Sequence, residues 1–258
     1  MFVQFAMFAM FAMPYDFDTL HISALLLIFA CWLLYGPILN TLGRGTLNAQ
    51  LHVARLRWMR MMIKSHRENR VYDAILLGQL TSSMSFFGSG TLIVVAGLLG
   101  ALAGVGGLHA SMTSIAFFPP ISLGLFTIYV AALTLIMAVC FFSFVYALRK
   151  LLYTLPMIGG LPDEAVVDGH GQVMLAQTTV VFTAAVKSLN NGIRGFYFAV
   201  SSLFLFVNPY AAMVVTLLIF ALMLYRQGFS TEALAIERYV DAMNAYEEER
   251  MAKGKPAI

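Results

Sequence analysis

The chain has 258 residues, 60% of them hydrophobic and 11% charged, with a formal net charge of +3. A soluble domain carries about 25% charged residues, and here the polar residues are gathered between long apolar runs, so the composition excludes an ordinary soluble domain and indicates a helical membrane protein. The basic residues cluster in one connection, which points to membrane topology and lipid contact rather than nucleic-acid binding.

The N-terminal stretch, residues 1–18, contains a threefold Phe-Ala-Met repeat ended by Pro14. Twelve residues make a helix of ~18 Å, too short for a ~30 Å hydrocarbon core. The stretch lacks the basic region and small-residue cleavage site of a signal peptide. Phe5, Met7, Phe8, Met10 and Phe11 suit either an apolar tail at the membrane interface or an adaptable contact for a partner subunit.

A first span follows from Leu20 to about Leu39, capped by Asp18 or Thr19, with Pro37 near its end. Gly43 to Gly45 breaks it. From Thr46 the pattern becomes amphipathic: Leu47, Leu51, Ala54, Trp58 and Met61 recur at helical spacing, and Arg57, Arg60, Lys64 and Arg67 form a second stripe. Such a basic helix, over 46–70, suits an anionic leaflet, with its apolar stripe in the acyl boundary and its arginines at headgroups. The plainer reading is that these cations simply enforce orientation or pair with other loops.

The second span runs from near Val71 to about Ala103, ~50 Å as a helix. Its first turns, with Asp73 and Gln79, are expected to project into the cytoplasm. Gly78, Ser82, Ser85 and Ser89 recur at three- and four-residue steps and form a small-residue packing face, or alternatively a hydroxyl-lined route. Gly104 to Pro120 is an uncharged outer connection, and Pro119 and Pro120 suit the first turn of a third span, about Ile121 to Leu148, which ends in Arg149 and Lys150. A polar loop, Pro156 to Gly169, follows.

Gln172 to Leu189 reads as a moderately apolar helix that either packs at the inner interface or crosses. Asn190, Asn191 and Gly192 are expected to break or bend it, leaving Arg194 at the inner boundary of a last span from about Gly195 to Tyr225, kinked at Asn208-Pro209. Residues 229–258 contain an extramembrane amphipathic helix, Thr231 to Arg250, and a charged tail. The expected architecture is all-α: an integral membrane bundle of about four transmembrane helices over 19–228, with amphipathic interfacial helices. Lys and Arg counts put the basic connections in the cytoplasm and both termini outside. A fifth crossing at Gln172 to Leu189 would move the C-terminus inside.

Chemistry-bearing motifs are absent from the sequence. There is no Walker loop, dinucleotide fingerprint, HExxH or nucleophile elbow, and no histidine pair suited to haem. Cys31 and Cys140 fall within apolar spans and read as buried thiols. No cofactor, metal site or enzymatic activity is expected.

Three blocks carry a family resemblance: RWMRMMIKSHRENRVYDAILLGQLTSSMSFFGSGTLIVVAGLLG, FFSFVYALRKLLYTLPMIG and NNGIRGFYFAVSSLFLFVNPY. In order and chemistry they resemble the bacterial membrane family called "domain of unknown function 599", from Ala24 to about Arg226. The resemblance implies a multi-span inner-membrane protein with no assigned activity. It singles out Arg57, Trp58, Arg60, Arg70, Asp73, Gly78, Ser85, Phe86, Phe87, Arg149, Asn191, Arg194, Tyr197 and Pro209, and makes the Phe-Ala-Met tail and the C-terminal helix additions to the family pattern.

The expected function is a non-catalytic accessory, assembly or scaffold subunit of a larger membrane complex. Asp73 would pair with Arg70, Arg149 or Arg194 in an inner-boundary polar cluster, and the partners would be anionic membrane lipids and other subunits or further copies. A small homo-oligomeric transporter or channel, with Ser82, Ser85, Ser89 and Thr91 lining the route, is the alternative. A lipid-modifying enzyme ranks last, for want of a nucleophile or metal.

Overall fold

The computed structural model describes residues 16–41, 47–64, 71–115, 118–162 and 169–253, and among them every regular element is helical. In chain order these are α1 (Thr19–Thr41), α2 (Leu47–Gln50), α3 (His52–Lys64), α4 (Val71–Ala103), α5 (Val105–Thr113), α6 (Leu123–Gly159), α7 (Gly169–Leu203), a 3-10 turn (Phe204–Phe206), α8 (Pro209–Gly228) and α9 (Thr231–Ala252). Among the described residues, four stretches are long and apolar enough to cross a membrane: Thr19–Leu39, Val71–Ala103, Leu123–Gly159 and one beginning at Pro209.

Local chemistry sets the helix ends. Asp18 caps α1, its Oδ1 accepting from the backbone N–H groups of Leu20 (3.0 Å) and His21 (3.2 Å), which satisfies donors the first turn leaves open. Ser122 does the same for α6, accepting from the Leu125 N–H at 3.1 Å. That helix starts at Leu123, so Pro119 and Pro120 precede it rather than opening it.

The largest departure from the sequence reading lies after residue 169. Asn190 to Gly192 does not break the chain; α7 runs unbroken for 35 residues. The last span is therefore not one helix from Gly195. It divides at the 3-10 turn, and Pro209 does not kink a helix but opens α8. Proline suits that first position because its missing N–H has no helical partner to lose, and Asn208 Oδ1 accepts from the Tyr210 N–H at 2.8 Å.

The described residues fall into two compact units. One draws on Met1–Tyr35, Ser89–Phe141 and Ile193–Ala221. Its core includes Ile28, Leu125, Phe126, Tyr129, Ile136, Phe198 and Phe206. Phe126 and Tyr129 each meet the Phe206 ring edge-on, at 5.3 and 5.6 Å between centroids, a favourable arrangement for ring quadrupoles. The other unit draws on Gly36–Gly88, Phe142–Gly192 and Leu222–Ile258. Here Phe144 is fully buried and stacks on Phe87 at 5.5 Å.

Glycines in α7 explain why a helix tolerates them. A Cβ at Gly192 would stand 2.6 Å from the Phe144 ring, and one at Gly195 would stand 2.2 Å from Cys140 Sγ. Gly192, read from sequence as part of a break, and Gly195, read as the start of the last span, are points where α7 lies against α6 with no room for a side chain.

Candidate functional site

The most developed polar site among the described residues joins α3 to α4. Trp58 Nε1 donates to Asp73 Oδ1 at 2.7 Å. The indole is steadied from behind by Phe182 of α7, 5.7 Å away. Two further links bind α3 to the same helix: His52 Nδ1 with Thr183 Oγ1 at 3.0 Å, and the Thr179 hydroxyl donating to Met59 Sδ at 3.2 Å. Met59, Met62 and Ile63 are buried, while Met61 is exposed. The α3 helix thus buries a stripe turned away from Met61, and Trp58 meets protein rather than an acyl boundary.

Beside Asp73 lies an open cleft of about 400 Å³. Asp73, Ala74, Leu77, Gly78 and Thr81 of α4 form one wall, Leu155, Ile158 and Gly159 of α6 the other, and Met62 of α3 closes the end. Small residues create the space: nothing lies within 4 Å of a Cβ built at Gly78 or Gly159. The Thr81 hydroxyl is engaged with the Leu77 carbonyl at 2.8 Å.

The basic stripe is divided. Arg60 pairs with Glu247 of α9 at 3.6 Å, and the Arg57 guanidinium lies over the Tyr246 ring at 4.9 Å. The α9 helix packs on α2 and α3, and Arg57 and Arg60 both meet it. Lys64 ends α3, but its side chain lies outside the described residues, as do Arg67 and Arg70 and the tail residues Phe5, Met7, Phe8, Met10 and Phe11.

Arg70, the first partner expected for Asp73 in the inner-boundary cluster, lies outside the described residues. Asp73 turns to Trp58, and Arg149 donates to the Tyr153 hydroxyl one turn along α6. Arg194 belongs to the other unit, where it lies over the Tyr35 ring at 5.1 Å. The reason is the continuity of α7, which puts Arg194 well inside a helix instead of at its mouth. Gly78, Ser82 and Ser89 are exposed and Ser85 is half-buried, so this face of α4 is not packed against its own chain.

A second polar cluster, missed from sequence, lies in the unit holding Arg194. His21 Nδ1 hydrogen-bonds the hydroxyl of fully buried Tyr129, and Asp18 stands 3.9 Å from His21 Nε2. Asp16 accepts from the Ser122 backbone N–H at 2.7 Å and from its hydroxyl at 2.5 Å. Partial burial pushes the Asp16 carboxyl upward, but these hydrogen bonds together outweigh it and hold the group below the usual carboxylate range. His109 Nε2 donates to the Ile121 carbonyl at 2.8 Å, tying α5 to the entry of α6. The spacing of 108 residues between His21 and Tyr129 left no local signal. Among the described residues no group of three or more His, Cys, Asp or Glu is arranged to hold a metal ion.

A family model described as "protein of unknown function, DUF599" matches residues 23–232. The match stops just inside α9, leaving most of that helix beyond it. No curated protein and no solved structure matches the chain.

Proposed function

The chain belongs to the DUF599 family, and from that premise we propose that it is a non-catalytic subunit: an accessory, assembly or scaffold component of a larger complex in a bacterial cytoplasmic membrane. The surface of α4 carries this reading. Its own chain buries a single seam, Leu77, Met84 and Thr91, spaced seven residues apart. Gly78, Ser82 and Ser89 lie on the exposed side, and Ala96 and Gly100 continue the same helical face. Lipid tails are as apolar as leucine, so helices in a bilayer associate through close van der Waals approach, which small residues permit. A face of this kind left bare by its own chain suits a helix of another subunit. A transport route along the same hydroxyls would need several copies turned toward one another.

The orientation that goes with this reading places α3 and the other basic connections in the cytoplasm and the N-terminus outside. The contacts of α9 on α3 support an inner C-terminus too. Two helices that touch outside the bilayer share a side, so the chain between them crosses an even number of times. Among α4, α6 and α8 there are three crossings, which supports α7 as one more. At 35 residues it reaches ~52 Å. The stretches 104–122 and 204–208 then face outside and contain no Lys or Arg, in keeping with the charge rule.

Native-gel migration after extraction in mild detergent, with mass spectrometry of the band, tests the subunit reading. Migration with a large complex is expected; a small homogeneous species refutes it. Reporters fused after Lys253 test the orientation: a cytoplasmic fluorescent protein should be bright and an alkaline phosphatase silent, and the opposite pattern refutes the fifth crossing.

A further inference from the structure

We propose that the cleft beside Asp73 holds one phospholipid whose headgroup carries a protonated primary amine, with the ammonium on the Asp73 carboxylate. The volume of about 400 Å³ falls within the ~300–1,000 Å³ of small-ligand sites. Among the described residues Asp73 is the one charged member of the lining. Its Oδ1 is held by an indole N–H, which fixes the carboxylate without neutralising it. An anionic headgroup would meet that charge as repulsion. A quaternary ammonium donates no hydrogen bond and instead seeks open aromatic faces, whereas the Trp58 ring is turned onto Phe182. A primary ammonium both neutralises a carboxylate and donates to it, and such charge-assisted bonds are the strong ones.

The approach to the cleft is apolar. Leu155, in the lining, is exposed, and the exposed Leu152 lies one turn back along α6. Acyl chains would lie along these side chains while the headgroup enters between Ala74 and Gly159. The cleft wall shares Gly78 with the bare face of α4 but reaches neither Ser82 nor Ser89, so different variants test the two readings.

The test is native mass spectrometry of the detergent-purified full chain, titrated with phosphatidylethanolamine and, separately, phosphatidylglycerol of identical acyl chains. The wild type should retain one phosphatidylethanolamine in preference to phosphatidylglycerol. Asp73→Asn keeps an oxygen for Trp58 but removes the charge, and should weaken phosphatidylethanolamine binding roughly tenfold, the scale of a hydrogen bond to a charged group, while leaving phosphatidylglycerol unchanged. Ala74→Leu fills the cleft without touching the Trp58–Asp73 bond and should weaken phosphatidylethanolamine binding as well. Equal binding of the two lipids by the wild type, or an undiminished preference in either variant, overturns the proposal. Should Asp73→Asn fail to fold, Ala74→Leu still decides, and native-gel migration of Ala74→Leu with its complex would separate failure here from failure of the subunit reading.

Discussion

Substituting Gly195 with alanine tests a close contact between α6 and α7 in the unit that contains both Gly195 and Cys140. The new Cβ would stand 2.2 Å from Cys140 Sγ, about 1.5 Å inside ordinary contact distance. Cys140 is 1% exposed, so the thiol has no open space to enter. Overpacking of this kind costs ~1–3 kcal/mol, and a chain of this size loses ~2–4 °C of melting temperature per kcal/mol. Gly195→Ala should therefore lower the apparent melting temperature in detergent by several degrees. The offending atom is the sulfur alone, because Cys140 Cβ and Trp32 Cζ2 would each lie at 3.8 Å from the new methyl. Cys140→Ala by itself should cost ~0.5–1.5 kcal/mol, as for loss of one buried heavy atom. The double variant should melt close to Cys140→Ala, a favourable coupling of ~1–3 kcal/mol. A double variant that falls by the sum of the single effects would refute the proposed contact.

Further outcomes follow from the other sites. Gly192→Ala should destabilise by a similar ~1–3 kcal/mol, since Phe144 is buried against Phe87; an unchanged melting temperature would count against that packing. Reversing the charge at Glu247 with Lys should loosen α9 from α3, seen as faster amide exchange in α9, and pairing it with Arg60→Glu should restore protection; the global cost should exceed the ~1 kcal/mol of an exposed ion pair, since the two side chains are only 16% and 20% exposed. Tyr129→Phe deprives His21 of its partner inside the fold and should cost ~1 kcal/mol or more; a neutral result would mean that water replaces the hydroxyl. Asp16→Asn should be less stable than wild type at neutral pH. Because the folded carboxyl titrates below its unfolded value, the deficit is fully present above the unfolded value and disappears as pH falls through the folded one. A deficit that grows on acidification would contradict the Ser122 clasp.

Much of this architecture was legible in residue order, and the parts that were not have identifiable causes. The α4 helix begins at Val71 and ends at Ala103, as its unbroken apolar run implied, and the signals around α1 and α9 were local caps and charge. Residues 190–209 misled because Asn-Asn-Gly and Asn-Pro are ambiguous in isolation. Gly192 serves close helix contact rather than a break, and Pro209 opens a helix instead of bending one. Which residues would matter in the candidate site was partly readable: Trp58, Asp73 and Gly78 stood out in the basic-to-apolar transition. Their arrangement was not, because the cleft depends on Gly159 and Leu155, and the partner of Arg60 lies 187 positions later in the chain.

The chain's two tryptophans fall one in each unit. Trp32 packs on Phe29 and Trp58 on Phe182. Each unit consequently carries its own intrinsic fluorophore. With Trp32 replaced by Phe, emission would follow the surroundings of Trp58 alone, including occupancy of the neighbouring cleft; with Trp58 replaced, it would follow the neighbourhood of Gly195. Comparing the two spectra through a thermal ramp would reveal whether the units melt together or in succession, with no added dye.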